Sequence, residues 1–109
     1  MHAMKLAAPG GIDQLSLTEI EPRAPGFGEI QVEIKATSLN FHDYAVVTGL
    51  IPADDGRIPM SDGAGVVTAV GDGVTAYSVG DKVLSYFFPK WAGGRPTLSD
   101  LIGVPGDHV

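Results

Sequence analysis

From Glu29 to Ala36 polar and apolar residues alternate without a break, Glu29, Gln31, Glu33 and Lys35 against Ile30, Val32, Ile34 and Ala36. A period of two predicts a half-buried strand with the isoleucine and valine side facing a core. The preceding Pro22-Arg23-Ala24-Pro25-Gly26-Phe27-Gly28 holds two prolines and two glycines, which suit a turn and exclude a central ladder position. Met4 to Ala7 and Leu15 to Ile20, separated by Pro9-Gly10-Gly11, predict an opening pair of strands. Asn40 to Thr48 predicts the one short helix: Asn40 supplies a cap, Asp43 sits in the first turn and Gly49 offers a left-handed stop. Leu50 to Pro59, with Asp54-Asp55-Gly56 and two prolines, is loop chemistry. Gly63 to Val70 then predicts a buried strand, Gly71-Asp72-Gly73 a turn, and Lys82 to Phe88 another strand. Short strands punctuated by glycine and proline predict a small, mostly β barrel or sandwich.

Composition narrows the function classes. A chain of 109 residues, 44% hydrophobic and 18% charged, suits one compact domain. Its formal charge of -6 repels phosphate backbones, and it lacks clustered Lys and Arg, so nucleic acid is not an expected partner. Cysteine is absent, which excludes disulfides and thiolate metal sites. No apolar run approaches the roughly 20 residues that span a bilayer, and Met1 to Lys5 has no signal-peptide pattern, so a soluble cytoplasmic protein without a membrane partner is expected. From Gly93 onward glycine and proline recur until Gly106-Asp107-His108-Val109, a pattern expected of a domain cut before its closing element.

Five stretches carry a resemblance: Met4-Lys5-Leu6; Pro25-Gly26-Phe27-Gly28-Glu29; Ser38-Leu39-Asn40-Phe41-His42-Asp43; Met60-Ser61-Asp62-Gly63-Ala64-Gly65; and Val79-Gly80-Asp81-Lys82-Val83. In this order and spacing, across nearly the whole chain, they resemble the front half of the catalytic domain of medium-chain dehydrogenase/reductases, in the zinc-independent, quinone oxidoreductase-like branch. The resemblance implies a GroES-like, partly open β-barrel with one short helix, incomplete without its C-terminal part. It also implies a Rossmann nucleotide-binding domain as the missing partner, holding NADPH or NADH, with no cofactor expected on residues 1–109 alone.

In zinc-dependent members of that family the position matching Asn40 is a cysteine ligand and that matching Ser61 a histidine ligand. Catalytic zinc takes about three protein ligands, and this chain offers His2, His42 and His108 but no cysteine, so no zinc and no metal site are expected. The resemblance makes Asn40 a catalytic and cofactor-binding residue beside the nicotinamide, with Phe41 next to it. The Asn40 carboxamide, having donor and acceptor groups, suits the ring, the ribose or a substrate carbonyl; it equally suits a plain helix cap. Asp62 matches an acidic position beside the missing zinc ligand and takes either a catalytic or a hydrogen-bonding role, whereas Asp43 is read as structural. Tyr44, Ile51, Phe88 and Trp91 are candidates to line a substrate pocket, with core packing as the alternative for the aromatics, Phe87 included. Ile51 stands where related quinone reductases often carry tyrosine. His42 is read as solvent-facing.

Gly71-Asp72-Gly73-Val74-Thr75-Ala76 imitates a dinucleotide fingerprint, but Ser78-Val79-Gly80-Asp81 follows where a helix is required. These glycines are read as turn formers. Two functions follow as expectations: the front part of an NAD(P)H-dependent oxidoreductase acting on an activated double bond or quinone, inactive without its other half, or a stand-alone binding or assembly module that dimerises through exposed strand edges. A ring-forming co-chaperonin subunit is the third.

Overall fold

The computed structural model describes residues 1–106, so the expectation for the terminal Asp107-His108-Val109, His108 included, lies outside the described residues. Strands β1 (His2–Leu6) and β2 (Leu15–Glu19) pair antiparallel from His2↔Glu19 to Leu6↔Leu15. Strands β3 (Ile30–Ala36), β4 (Ala64–Val70) and β5 (Lys82–Leu84) form a second antiparallel sheet in the order β3-β4-β5. Helix α1 (Phe41–Val47) lies between β3 and β4 in sequence, and two short 3-10 turns, Ile12–Gln14 and Leu98–Leu101, complete the elements. The fold is mostly strand with one α-helix, and the described sheets do not close into a barrel.

The core is small: Leu6 from β1, Ala45 and Val46 from α1, Val67 from β4 and Val104 near the end are buried. Each Leu or Val so placed contributes about 1.5–3 kcal/mol of hydrophobic stabilisation. Leu6 is held by backbone bonds to the segment between α1 and β4, its N–H donating to Arg57 O at 2.8 Å and its carbonyl accepting from Gly56 N–H at 2.9 Å. Gly65 is required where β3 and β4 close together, since a Cβ there would sit 2.1 Å from the Glu33 carbonyl oxygen.

Helix α1 follows the predicted punctuation. Asp43 Oδ2 accepts the Asn40 backbone N–H at 2.8 Å in a capping box, and Gly49 terminates the helix at φ 82°. Gly71-Asp72-Gly73 is a turn, with Gly73 at φ 80° and no helix after it, as its surroundings required.

Three expectations change. The strand over Lys82 to Phe88 is only Lys82–Leu84: Ser85 N–H still reaches Gly63 O at 2.9 Å, but β4 has no residue left to pair and the chain turns at Phe88-Pro89. The alternating face of β3 is not buried along its length; Ile30 and Val32 are half-buried while Ile34 is 58% exposed and Ala36 is exposed, because no described element covers that end of the sheet. The aromatics stand outside the core. His42, half-buried rather than solvent-facing, meets Phe87 edge-on at 5.0 Å, and Phe88 links Phe87 to Trp91 at 4.7 and 6.5 Å.

Candidate functional site

Asn40, Asp43, Ser61 and Asp62 come together where the N-terminal end of α1 meets the segment leading into β4. Burial is greatest for the two that link the segments: Asp43 is 2% exposed and Ser61 is 0% exposed. The Asp43 carboxylate takes the Asn40 N–H on one oxygen at 2.8 Å and the Ser61 N–H on the other at 2.7 Å. One side chain thereby fixes the backbone of both positions, satisfying two donors that would otherwise be buried without partners. The structural role read for Asp43 is correct, but the work lies in this bridge and not only in favourable placement in the first helical turn.

Asp62 is the centre of a second cluster. Its Oδ1 accepts from Ser38 N–H at 2.8 Å and Thr37 Oγ1 at 3.0 Å; its Oδ2 accepts from Ser38 Oγ and from Asn40 Nδ2 at 3.1 Å. These donors, the Ser38 N–H foremost, followed by the Ser38 hydroxyl and the Asn40 amide, hold the carboxyl well below the usual carboxylate range. Asn40 Nδ2 also faces Ser38 O at 3.2 Å and Ser61 Oγ at 3.4 Å. The Asn40 residue therefore caps the helix and braces Asp62 at once.

Two grooves open beside Asp62. One of about 330 Å³ is lined by Thr37, Ser38, Asp62, Gly63, Leu84 and Ser85. The other, about 380 Å³, includes Ile34, Met60, Asp62, Ser85 and Pro105. Tyr44, Ile51, Phe88 and Trp91 line neither groove. Tyr44 instead pairs with Phe41 at 6.0 Å, and Phe41, 78% exposed, presents a bare ring next to Asn40.

Three participants were given no role by the sequence reading. Ser38 opens one of the stretches that carry the resemblance and Thr37 precedes it, yet nothing in their type announces that both serve Asp62. Met60, at φ 93°, is the described non-glycine residue with positive φ, and it stands immediately before Ser61. A backbone in that region costs on the order of 1–3 kcal/mol and persists where its neighbours fix it, as Asp43 does through the next N–H. Methionine carries no sequence signal for such a turn.

The polar groups of this cluster are largely committed to one another. The Asn40 NH2 is a donor without a free lone pair, Ser61 is a buried neutral hydroxyl, and Asp62 is already filled by its own donors. Among the described residues no three His, Cys, Asp or Glu cluster with metal-binding spacing. Nor is any described helix long and apolar enough to cross a membrane.

Residues 26–107 match the alcohol dehydrogenase GroES-like domain. A mycocerosic acid synthase-like polyketide synthase of Mycolicibacterium smegmatis is 48% identical over 77 residues, which is 69% of this chain and 4% of that protein. Escherichia coli quinone oxidoreductase complexed with NADPH superposes with a TM-score of 0.71 at 33% identity, covering 78% of this chain and 26% of that one. The cobalt- and zinc-bound thermostable alcohol dehydrogenase of Pyrobaculum aerophilum gives 0.75 at 40% identity, over 79% and 26%. The chain thus spans about a quarter of these two enzymes and a small part of the synthase. On these matches, the chain belongs to the alcohol dehydrogenase GroES-like domain family and corresponds to the N-terminal part of the catalytic domain of medium-chain dehydrogenase/reductases.

Proposed function

We propose that this chain is the N-terminal portion of a zinc-independent, NAD(P)H-dependent oxidoreductase that reduces an activated double bond or a quinone, and that it is inactive by itself. The observation that carries the reading is the hydrogen-bonded cluster of Asn40, Ser61 and Asp62, in which the two positions that the resemblance matches to metal ligands, Asn40 and Ser61, carry an amide and a hydroxyl. The glycines at 71 and 73 form a turn with no helix behind them among the described residues, which supports placing the dinucleotide on a separate nucleotide-binding half. Asn40 and Phe41 would face its nicotinamide end, and NADPH or NADH would supply the hydride. The chain's own contribution is orientation: a rigid corner built by Asp43 and Asp62, and an apolar ring at Phe41 for a planar group. Kinship to an NADPH-bound quinone oxidoreductase supports the choice of reaction class.

The reading is tested by assaying NADPH oxidation with a quinone and with an enone, using the purified chain and the chain joined to the nucleotide-binding half of a quinone oxidoreductase relative. Activity is expected only from the joined protein, without added zinc and reduced by Asn40→Ala. Turnover by the 109-residue chain, or strict dependence on zinc, would refute it. A second reading, a stand-alone module that pairs with another copy through exposed strand edges, is favoured by Leu84 on the edge strand β5 and Tyr86 just past it, 74% and 75% exposed.

A further inference from the structure

The Asn40 carboxamide has one donor end and one acceptor end, and which of them a bound molecule meets decides what Asn40 can recognise. Around its nitrogen stand Asp62 Oδ2 at 3.1 Å and the Ser38 carbonyl at 3.2 Å, with Ser61 Oγ at 3.4 Å. The first two are acceptors only: a backbone carbonyl has no proton to give, and an ionised carboxylate has none either. Turning the amide over would set its oxygen against both of them, replacing two attractive contacts with two repulsive ones. The carboxylate itself stays ionised because the Ser38 N–H, the Ser38 hydroxyl and the Thr37 hydroxyl also donate to it.

We infer that Asp62 is a positioning residue that locks the Asn40 amide with its NH2 turned inward, so that Asn40 offers a bound molecule only its oxygen. Resting on the proposed oxidoreductase reading, this deepens it by choosing among the possible partners. A hydroxyl or an N–H, such as those of a ribose or of a carboxamide, can donate to that oxygen. A substrate carbonyl or a quinone oxygen cannot, since it brings a second acceptor. Polarisation of the substrate oxygen therefore falls to another group, and Asn40 serves the donor-rich cofactor end of the cleft. Part of the oxygen's capacity goes to the capping box with Asp43, which leaves the second lone pair for a ligand.

The orientation is measurable without cofactor or turnover, so its failure is distinguishable from failure of the functional reading. Asn40 is the only asparagine in the chain, which makes its side-chain amide pair in a 15N-labelled sample simple to assign. The two Nδ2 protons are expected to show nuclear Overhauser contacts to the β-protons of Ser38 and Ser61 and slowed exchange with water. In Asp62→Ala, exchange should speed up about tenfold, the loss expected for one charge-assisted hydrogen bond, while α1 amide contacts stay in place. Ser38→Ala removes a donor to Asp62 but no acceptor of Asn40, and should leave the pair nearly unchanged. Contacts from Nδ2 to the Asp43 and Tyr44 amide protons, or an Asp62→Ala spectrum in which the pair does not respond, would overturn the inference. Should Asp62→Ala fail to fold, the wild-type contact pattern alone decides it.

Discussion

Around Ser61 the chain buries a hydroxyl and a carboxylate, whereas across the β3-β4-β5 sheet it leaves Ile34, Leu84 and Tyr86 in solvent. This inverts the usual arrangement, and the difference lies in where the partners are. Each of these polar groups at the site, buried or half-buried, finds its partner inside the chain: Asp43 meets Asn40 and Ser61, and Asp62 meets Thr37, Ser38 and Asn40. The exposed side chains of the sheet region find none among the described residues: Lys35, Val66, Tyr77, Val83 and Tyr86 line an open groove of about 710 Å³, and Ile34 lines a separate one. One region is complete by itself, and the other is half of a layer. That contrast supports the proposed reading, in which the chemistry is assembled with a second body.

The contrast breaks most sharply at Asp43. Replacing it with alanine strands the Ser61 and Asn40 N–H groups, at about 1–3 kcal/mol for each buried donor, so Asp43→Ala should lower the unfolding free energy by about 3 kcal/mol or more. Denaturant titration would show it, and a loss below about 0.5 kcal/mol would mean the bridge is not structural. Val67→Ala, in the core at 1% exposure, should cost about 2 kcal/mol by lost burial and cavity formation. Leu84→Ala on the open face should stay within about 0.5 kcal/mol; equal losses at the two positions would show that the sheet face is covered in solution.

If a second copy provides that cover, the sedimentation mass of the wild type should rise with concentration, and Leu84→Lys should return it to the monomer. A monomer at all concentrations would dispose of pairing through this face.

The smallest effect concerns acid. Asp62 titrates lower in the folded chain than its unfolded value of about 3.9, so the folded state binds fewer protons than the unfolded state between those two points. Its contribution is present in full above about pH 4 and is lost as pH falls through the folded value. Asp62→Asn should therefore flatten the acid limb of a stability-against-pH curve. An unchanged slope would place the acid sensitivity elsewhere, with Glu29 and Asp100, whose carboxyls are also held low, as the next residues to change.

Much of the architecture was legible because it depends on local chemistry. Alternation over Glu29 to Ala36 marked β3, Asn40, Asp43 and Gly49 bounded α1, and the residues after Gly73 exposed the false fingerprint. The length of β5 was not legible, since Val83 through Phe88 reads as strand by composition and only the end of β4 stops the pairing. Nor was the exposure of Ile34, because alternation specifies which side faces a partner without saying that the partner is present. Asn40 and Asp62 could be singled out from their motif, but Ser38 and Thr37 could not, as hydroxyl side chains of this kind sit in loops everywhere.

Sequence by itself determined most of the elements and the absence of thiol chemistry. These follow from side-chain type and spacing along the chain. Only the tertiary structure decided that Asp43 bridges Asn40 to Ser61, that Asp62 gathers its donors from residues 37 to 40, and which end of the Asn40 amide faces inward. Those are contacts across separations of 18 to 25 residues, set by how α1 and β4 pack, and hydrogen bonds that depend on angles and tenths of an ångström have no counterpart in a one-dimensional pattern.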